Sequence, residues 1–314
     1  MEKKQPLIAV VGPTASGKTA VGIALAKEYN GEVVSADSMQ IYKGMDIATA
    51  KPDEEEMQGI PHHLISELEP TASFSVAEYV KLAQQKISDI AARGKFPILV
   101  GGTGLYVSSL IDNINFDNAV TDGSIRKRLT EEAALLGGEA MLERLRKVDP
   151  DAAEKIPAAN LVRIIRALEV YEVTGIPFSR QKELNRMQDS LYNACMIGLT
   201  YKDRSDLYDR INKRVDIMLE KGLIEECRAV YENEKLGTAC QAIGYKEFIP
   251  YFRDIKTKEE CIDKIKQYSR NYAKRQLTWF RRDERIQWVE IEKDTAFSTI
   301  IAECKKVVAK TEIL

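Results

Sequence analysis

Gly12-Pro13-Thr14-Ala15-Ser16-Gly17-Lys18-Thr19 carries the spacing GxxxxGK[ST], a pattern suited to phosphate. Its glycines let backbone N–H groups curl around phosphate oxygens, and a helix starting there adds its partial positive charge. Lys18 can reach a terminal phosphate, and the Thr19 hydroxyl can ligate Mg²⁺. The motif is the common nucleotide- and ATP-binding loop, so it predicts a di- or triphosphate-like ligand without choosing one. Asp37 closes the apolar run Glu32–Ala36. At the C-terminal end of a parallel strand, a carboxylate faces the phosphate site and can take a proton from an attacking nucleophile. A helix or turn cap is the other use of such a residue. The run Pro97–Val100 ends in Gly101-Gly102-Thr103-Gly104. The Thr103 hydroxyl and nearby amides can serve a leaving group or a base, or the glycines can simply make a strand-to-helix turn. A Walker-B carboxylate and an NKxD guanine-reading motif are both missing from the sequence, which argues against a GTPase or an ATP-driven machine. Arg210 and Arg214 lie one helical turn apart and can clamp phosphate bidentately; the pattern does not choose between them.

The elements that must position these residues are also legible. Leu7–Val11, Glu32–Ala36, Phe96–Val100 and Ala194–Thr200 read as buried strands, with Gln287–Ile291 as a last one. Thr19–Tyr29, Val76–Arg93 and Leu105–Leu110 read as helices between them, so a parallel sheet flanked by helices is expected. From about Asn118 to Leu184 the pattern is charged, Leu/Ala-rich and helical, punctuated by Gly137-Gly138 and Asp149-Pro150. Leu161, Ile164, Ile165, Leu168 and Tyr171 fall at helical spacing there. The expected organisation is a core of residues 1–116 and 191–314 with an all-helical insertion at 117–190. Long helices are expected near Leu207–Lys221, Ile224–Glu232 and Lys258–Phe280, with a closing one near Ser298–Lys310.

The chain has 314 residues and a net charge of −2. No apolar run approaches the roughly 20 residues of a membrane span, and the N-terminal apolar run is too short for a signal peptide. A cytoplasmic protein without membrane contact is expected. The five cysteines, Cys195, Cys227, Cys240, Cys261 and Cys304, form no CxxC pair, so neither zinc nor disulfides are expected. His62 and His63 are adjacent, which on a strand sends them to opposite faces; a structural role is expected. The small net charge hides an asymmetry. Lys264–Arg285 holds eight basic residues against Asp283 and Glu284, interleaved with Tyr268, Tyr272, Trp279 and Phe280. Such a stripe suits a polyanion such as RNA, or a solvated helix face packed by its aromatics.

GPTASGKT, ADSMQIYKGMDIATAKP, PHHLI, LVGGTGLY, IRALEVYE, QAIGYKE and YAKRQLTWFRR occur in that order. From about residue 7 to 290 the sequence resembles the tRNA dimethylallyltransferase (bacterial tRNA isopentenyltransferase) family. The resemblance implies a P-loop NTPase-like fold with a helical insertion that grips the tRNA anticodon stem-loop. It implies transfer of a dimethylallyl group from dimethylallyl diphosphate to the exocyclic amine of the adenine 3′-adjacent to the anticodon, releasing diphosphate. By matching motif, Asp37 is the general base and Thr103 its partner. Lys18 and Thr19, with Mg²⁺, bind the leaving diphosphate within Gly12–Thr19. The tRNA contacts implied are Asp37, Ser38, Met39, Gln40, Thr103 and Arg126, then Asn160, Leu161, Val162, Arg163 and Ile164. Gln241, Ala242, Ile243, Gly244, Tyr245 and Lys246 complete the motif set; Lys274 and Arg275 come from the basic run. The alternative is a P-loop nucleoside or small-metabolite kinase. The chain departs from the family at Ala48, where glycine is common, and at Ser66, where aspartate is. It lacks the C-terminal zinc finger of eukaryotic relatives, and a monomer is expected.

Overall fold

The computed structural model describes residues 4–114, 116, 123–185, 189–232, 239, 242–311 and 313. Gln241 and Cys240 lie outside them. The chain divides into two compact units: Met1–Ile111 with Leu191–Leu314, and Asp112–Ser190.

The first unit is a six-stranded parallel sheet. Its strands are β1 (Gln5–Val11), β2 (Gly31–Ser35), β3 (His62–His63), β4 (Phe96–Gly101), β5 (Tyr192–Tyr201) and β6 (Ile286–Ile291), in the order β3-β2-β4-β1-β5-β6. Leu7 to Val11 of β1 are fully buried, as a central parallel strand covered on both faces must be. The covering helices are α1 (Lys18–Glu28), α2 (Glu54–Met57), α3 (Val76–Ala92) and α4 (Gly104–Ile111), and after the second unit α9 (Arg204–Glu220), α10 (Leu223–Glu232), α11 (Tyr245–Phe252), α12 (Lys258–Phe280) and α13 (Phe297–Lys310). The second unit holds α5 (Gly123–Val148), α6 (Pro150–Lys155), α7 (Leu161–Thr174) and α8 (Phe178–Asn185). Its core joins Leu129, Met141 and Leu145 to Ile164, Ile165 and Leu168. Gly137, with φ 79° and ψ 171°, breaks α5 in two.

Most elements fall within one or two residues of the sequence reading. The sequence reading contains neither β3 nor the short helices α2 and α11. β3 is too short for a period to show, and α11 contains Pro250, which reads as a helix breaker. His63 has the structural role expected of it. Its Nε2 lies 2.7 Å from Glu32 Oε2, and Arg93 makes two further bonds to that carboxylate at 2.7 and 2.8 Å. The Arg93 hydrogen bonds hold the Glu32 carboxyl below the usual range, against the opposing effect of burial. A depressed pKa stabilises the fold above the unfolded value and loses that contribution as pH falls through the folded one. Glu32→Gln is therefore expected to cost about 1.5–3 kcal/mol at pH 7. In urea unfolding the gap from wild type should narrow below a pH of about 4.3. A gap that stays constant between pH 7 and 3 would remove the ion pair as its cause.

Candidate active site

Three neighbouring strands, β2, β4 and β1, end in three loops, and these build the site. β1 leads through Gly12–Gly17 into α1, which brings Lys18 and Thr19 to the sheet edge. β2 runs into Asp37 and β4 into Thr103. The last two loops are joined by the backbone: Ala36 N–H donates to Val100 O at 2.8 Å, and Thr103 N–H to Ala36 O at 3.1 Å. Gly101 permits this approach, since a Cβ there would sit 2.3 Å from Ala36 O. Thr103 Oγ1 accepts the Ser38 N–H at 3.1 Å, so it acts on the loop beside Asp37. Asp37 Oδ1 accepts the amides of Met39 at 2.9 Å and Gln40 at 3.4 Å. The turn-capping role left open by the sequence is thus real. It fixes the carboxyl orientation through Oδ1 and leaves Oδ2 without a hydrogen bond among the described residues.

The loop from Ser38 to Pro52 is stapled in place. Gln40 Nε2 donates to Thr49 O and Ala50 O, and Lys51 Nζ to Tyr42 O, Asp46 Oδ1 and Ser66 Oγ. Ser66, where the family commonly has aspartate, keeps an oxygen for Lys51. Glu226 of α10 accepts the consecutive amides of Asp46, Ile47 and Ala48 at 2.7–2.9 Å, together with the Tyr245 hydroxyl at 2.7 Å. Ala48 fits at its position: its Cβ faces Gly244, which has no side chain of its own.

Two cavities meet here. One, of about 290 Å³, is lined by Asp37, Ser38, Met39, Gln40, Gly102, Tyr272 and Arg275, with Lys18 and Thr19. The other, of about 910 Å³, lies along the outer side of α1 with Lys27, Lys213 and Arg210. Lys18, Thr19, Ala50, Pro52, Arg214 and Met218 line both. A ligand held at the phosphate loop is therefore open from two directions.

The electrostatics suit a polyanion. Lys18 Nζ donates to Pro13 O at 2.6 Å. Desolvation, then repulsion from Arg214, lower its pKa to about 7, opposed by Asp37. Burial likewise pulls Arg214 below its ordinary value, with Asp37 again opposing. Two cations held together away from water attract a diphosphate more strongly than the same pair in solvent. The structure separates the two arginines. Arg214 reaches Thr14 Oγ1 and Ala50 O, both at 3.4 Å. Arg210 donates to Ala15 O at 3.1 Å from the outer side and lies over the Tyr201 ring at 5.5 Å.

The remaining expected contacts are sorted by burial. Ala242, Ile243, Gly244 and Lys246 line the smaller cavity, and Lys274 and Arg275 are exposed on α12. Tyr245 is 3% exposed, and with its hydroxyl on Glu226 its side chain packs in the core. In the helical unit Asn160 caps α7 through the Arg163 amide at 3.4 Å, and Val162 and Arg163 face solvent. Leu161 packs partly against the helical core. Ile164 lies on the opposite side of the helix. It is fully buried, because the α7 turn that exposes Val162 turns Ile164 inward. Arg126 is half exposed and pairs at 2.8 Å with Glu169, which Arg166 also contacts. Two site residues were not singled out from sequence, Glu226 and Gln276. Gln276 lies inside the quoted YAKRQLTWFRR motif, but nothing local reveals its partners.

Among the described residues no group of three or more His, Cys, Asp or Glu is placed to hold a metal ion. Cys195, Cys227, Cys261 and Cys304 are free and buried. No helix among the described residues is long and apolar enough to cross a membrane.

Sheet order and the Gly12–Thr19 loop define a protein of P-loop-like fold. The IPP transferase family model matches residues 40–283. The chain is 48% identical to the tRNA dimethylallyltransferase of Acetivibrio thermocellus over 301 residues, covering 95% of this chain and 96% of that one. It is 49% identical to that of Geobacillus kaustophilus, covering 96% and 95%. Among solved structures it matches the full-length tRNA isopentenylpyrophosphate transferase of Bacillus halodurans at 46% identity and a TM-score of 0.74, covering 98% and 97%. It matches a eukaryotic dimethylallyltransferase described as acting on tRNA at 29% identity and 0.81, covering 98% and 80%. The chain belongs to the IPP transferase family, and it is a transferase.

Proposed function

We propose that this chain transfers a dimethylallyl group from dimethylallyl diphosphate to the exocyclic amine of the adenosine 3′-adjacent to the anticodon of tRNA. The observation that carries the reading is the smaller cavity: Asp37 lines it together with Lys18 and Thr19, in a chain of this family. An adenine amine is a weak nucleophile because its lone pair is delocalised into the ring. Asp37 orients the amine and takes its proton as the new C–N bond forms. The allylic C–O bond breaks at the same centre, and its electron pair leaves with the diphosphate. Lys18, Arg214 and the Gly12–Thr19 amides bind that polyanion more tightly as its charge develops. Arg214, not Arg210, is the proposed clamp. Mg²⁺ fits this donor set, since it binds through one or two protein oxygens together with phosphates and water. Thr19 would hold it, and when bound it neutralises diphosphate charge.

The two openings divide the work. The adenine enters on the Ser38–Gln40 side, and the donor reaches Lys18 from the α1 side. The base must leave its stack first, at a cost of a few kcal/mol. Phosphate contacts offset it; the proposed ones are Lys246, Lys274 and Arg275 in the first unit and Arg126 and Arg163 in the helical unit, with Val162 as an apolar contact to the RNA. Lys274→Glu with Arg275→Glu is expected to weaken tRNA binding and to flatten the slope of log K against log salt by about 2. An unchanged slope in filter binding between 50 and 200 mM salt would assign both residues to the solvated surface.

The activity test uses unmodified tRNA, Mg²⁺ and labelled dimethylallyl diphosphate, with nucleosides read by mass spectrometry. A dimethylallyl adduct on one adenosine supports the reading. No adduct, with ADP released from ATP in the presence of a small acceptor, overturns it.

A further inference from the structure

The two halves of the proposed reaction sit on different loops, and one side chain ties those loops together. Gln276 of α12 is 5% exposed. Its Oε1 accepts the Thr14 N–H of the phosphate loop at 2.8 Å. Its Nε2 donates to Gly102 O, next to Thr103, at 3.0 Å. The fit is close, since a Cβ on Gly102 would lie 2.2 Å from Gln276 Nε2. One turn further on, Trp279 packs against Gly104 and donates to Ser108 Oγ at 3.0 Å, which fixes α12 on the same segment. From Gly102 the connection continues through Thr103 to the Ser38 amide beside Asp37.

We propose that Gln276 is a positioning residue for the transfer, setting the spacing between the diphosphate loop and the general base. This rests on the reading of Asp37 as that base. The carboxamide suits the task because it offers one acceptor and one donor in a single rigid plane, matched to one N–H and one C=O. A carboxylate satisfies the first partner and opposes the second; a thioether satisfies neither. Gln276 borders the smaller cavity, but its amide oxygen and nitrogen are taken by Thr14 and Gly102, so it acts through those two loops. Its removal should leave each half-site able to bind while the reacting atoms lose alignment. A misplacement of about 1 Å costs on the order of 10²-fold in such reactions.

The test measures kcat, both KM values, inorganic diphosphate affinity and tRNA affinity for Gln276→Met and Gln276→Glu. The expected result is a kcat lower by roughly 30–100-fold in each, with both affinities within about threefold of wild type. The second arm combines Gln276→Met with Asp37→Asn. If Gln276 acts by aligning the base, its effect on kcat shrinks to within about threefold once the base is gone. A full, multiplicative loss in the double variant overturns the proposal, as does a loss confined to KM or to melting temperature with kcat intact. If Gln276→Met does not fold, Gln276→Glu carries both arms, because it keeps the Thr14 bond. Failure of the wild-type protein to form any adduct speaks against the transfer reading; a normal wild-type adduct with normal kcat in both variants speaks against Gln276 alone.

Discussion

Asp37→Asn is expected to lower kcat by about 10²–10⁴ while leaving tRNA and donor binding within about threefold. The substitution keeps the side-chain oxygen that accepts the Met39 and Gln40 amides, so the loop stays capped. It keeps the shape of the cavity as well. What it removes is the negative charge and the ability to take a proton from the amine. Asp37 also opposes the desolvation of Lys18 and Arg214. Removing it takes one anion away from the diphosphate site but also lets the Lys18 pKa fall further, so inorganic diphosphate affinity is expected to stay within about threefold of wild type. Rapid-quench single-turnover kinetics check the prediction by separating chemistry from product release. A single-turnover rate near wild type would remove Asp37 as the base.

Arg214→Gln is the second large effect, with kcat/KM for the donor expected to fall by about 10²–10³ and Arg210→Gln expected to stay within about threefold. The difference follows from where the guanidinium groups end. Arg214 borders both cavities, while Arg210 reaches only the outer one. Stability should move the other way. Arg214 is half-buried near Lys18, and the repulsion lowers the lysine pKa. Relieving it should leave the melting temperature of the free protein no lower than that of wild type, in line with the general conflict between binding sites and stability. Differential scanning fluorimetry with added diphosphate separates the cases. Diphosphate should raise the wild-type melting temperature clearly and that of Arg214→Gln little. An equal rise in both would return the clamp role to Arg210.

These residues differ in how far the sequence betrayed them. The phosphate loop is legible because its chemistry is local: eight consecutive residues contain the glycines, the lysine and the hydroxyl. Asp37 and Thr103 are legible because a buried parallel strand announces itself and the residue after it has a known place. Gln276 and Glu226 are not, because their partners lie 174 and 262, and 178 to 180, residues away. No window of sequence contains both ends of those bonds. The burial of Ile164 and Tyr245 is hidden for a different reason. A motif states which segment matters, but helix phase decides which side chains in it face out. The choice between Arg210 and Arg214 is of the same kind. They share a face by spacing, yet the entry of α9 beside the phosphate loop points only one of them into the smaller cavity.

The sheet order also bears on how the chain is made. β1 is synthesised first, but its neighbours are β4 and β5, and Gln5 pairs with Tyr192. The apolar strand that leads into the phosphate loop thus leaves the ribosome well before its second partner exists. The whole helical unit, Asp112–Ser190, is translated in between. That unit has its own apolar core and contacts local in sequence, which favour early folding. The sheet centre has the opposite character, and Leu7–Val11 remains a sticky open edge on the nascent chain until β5 arrives. The strand that leads into the phosphate loop is therefore among the last segments to be secured.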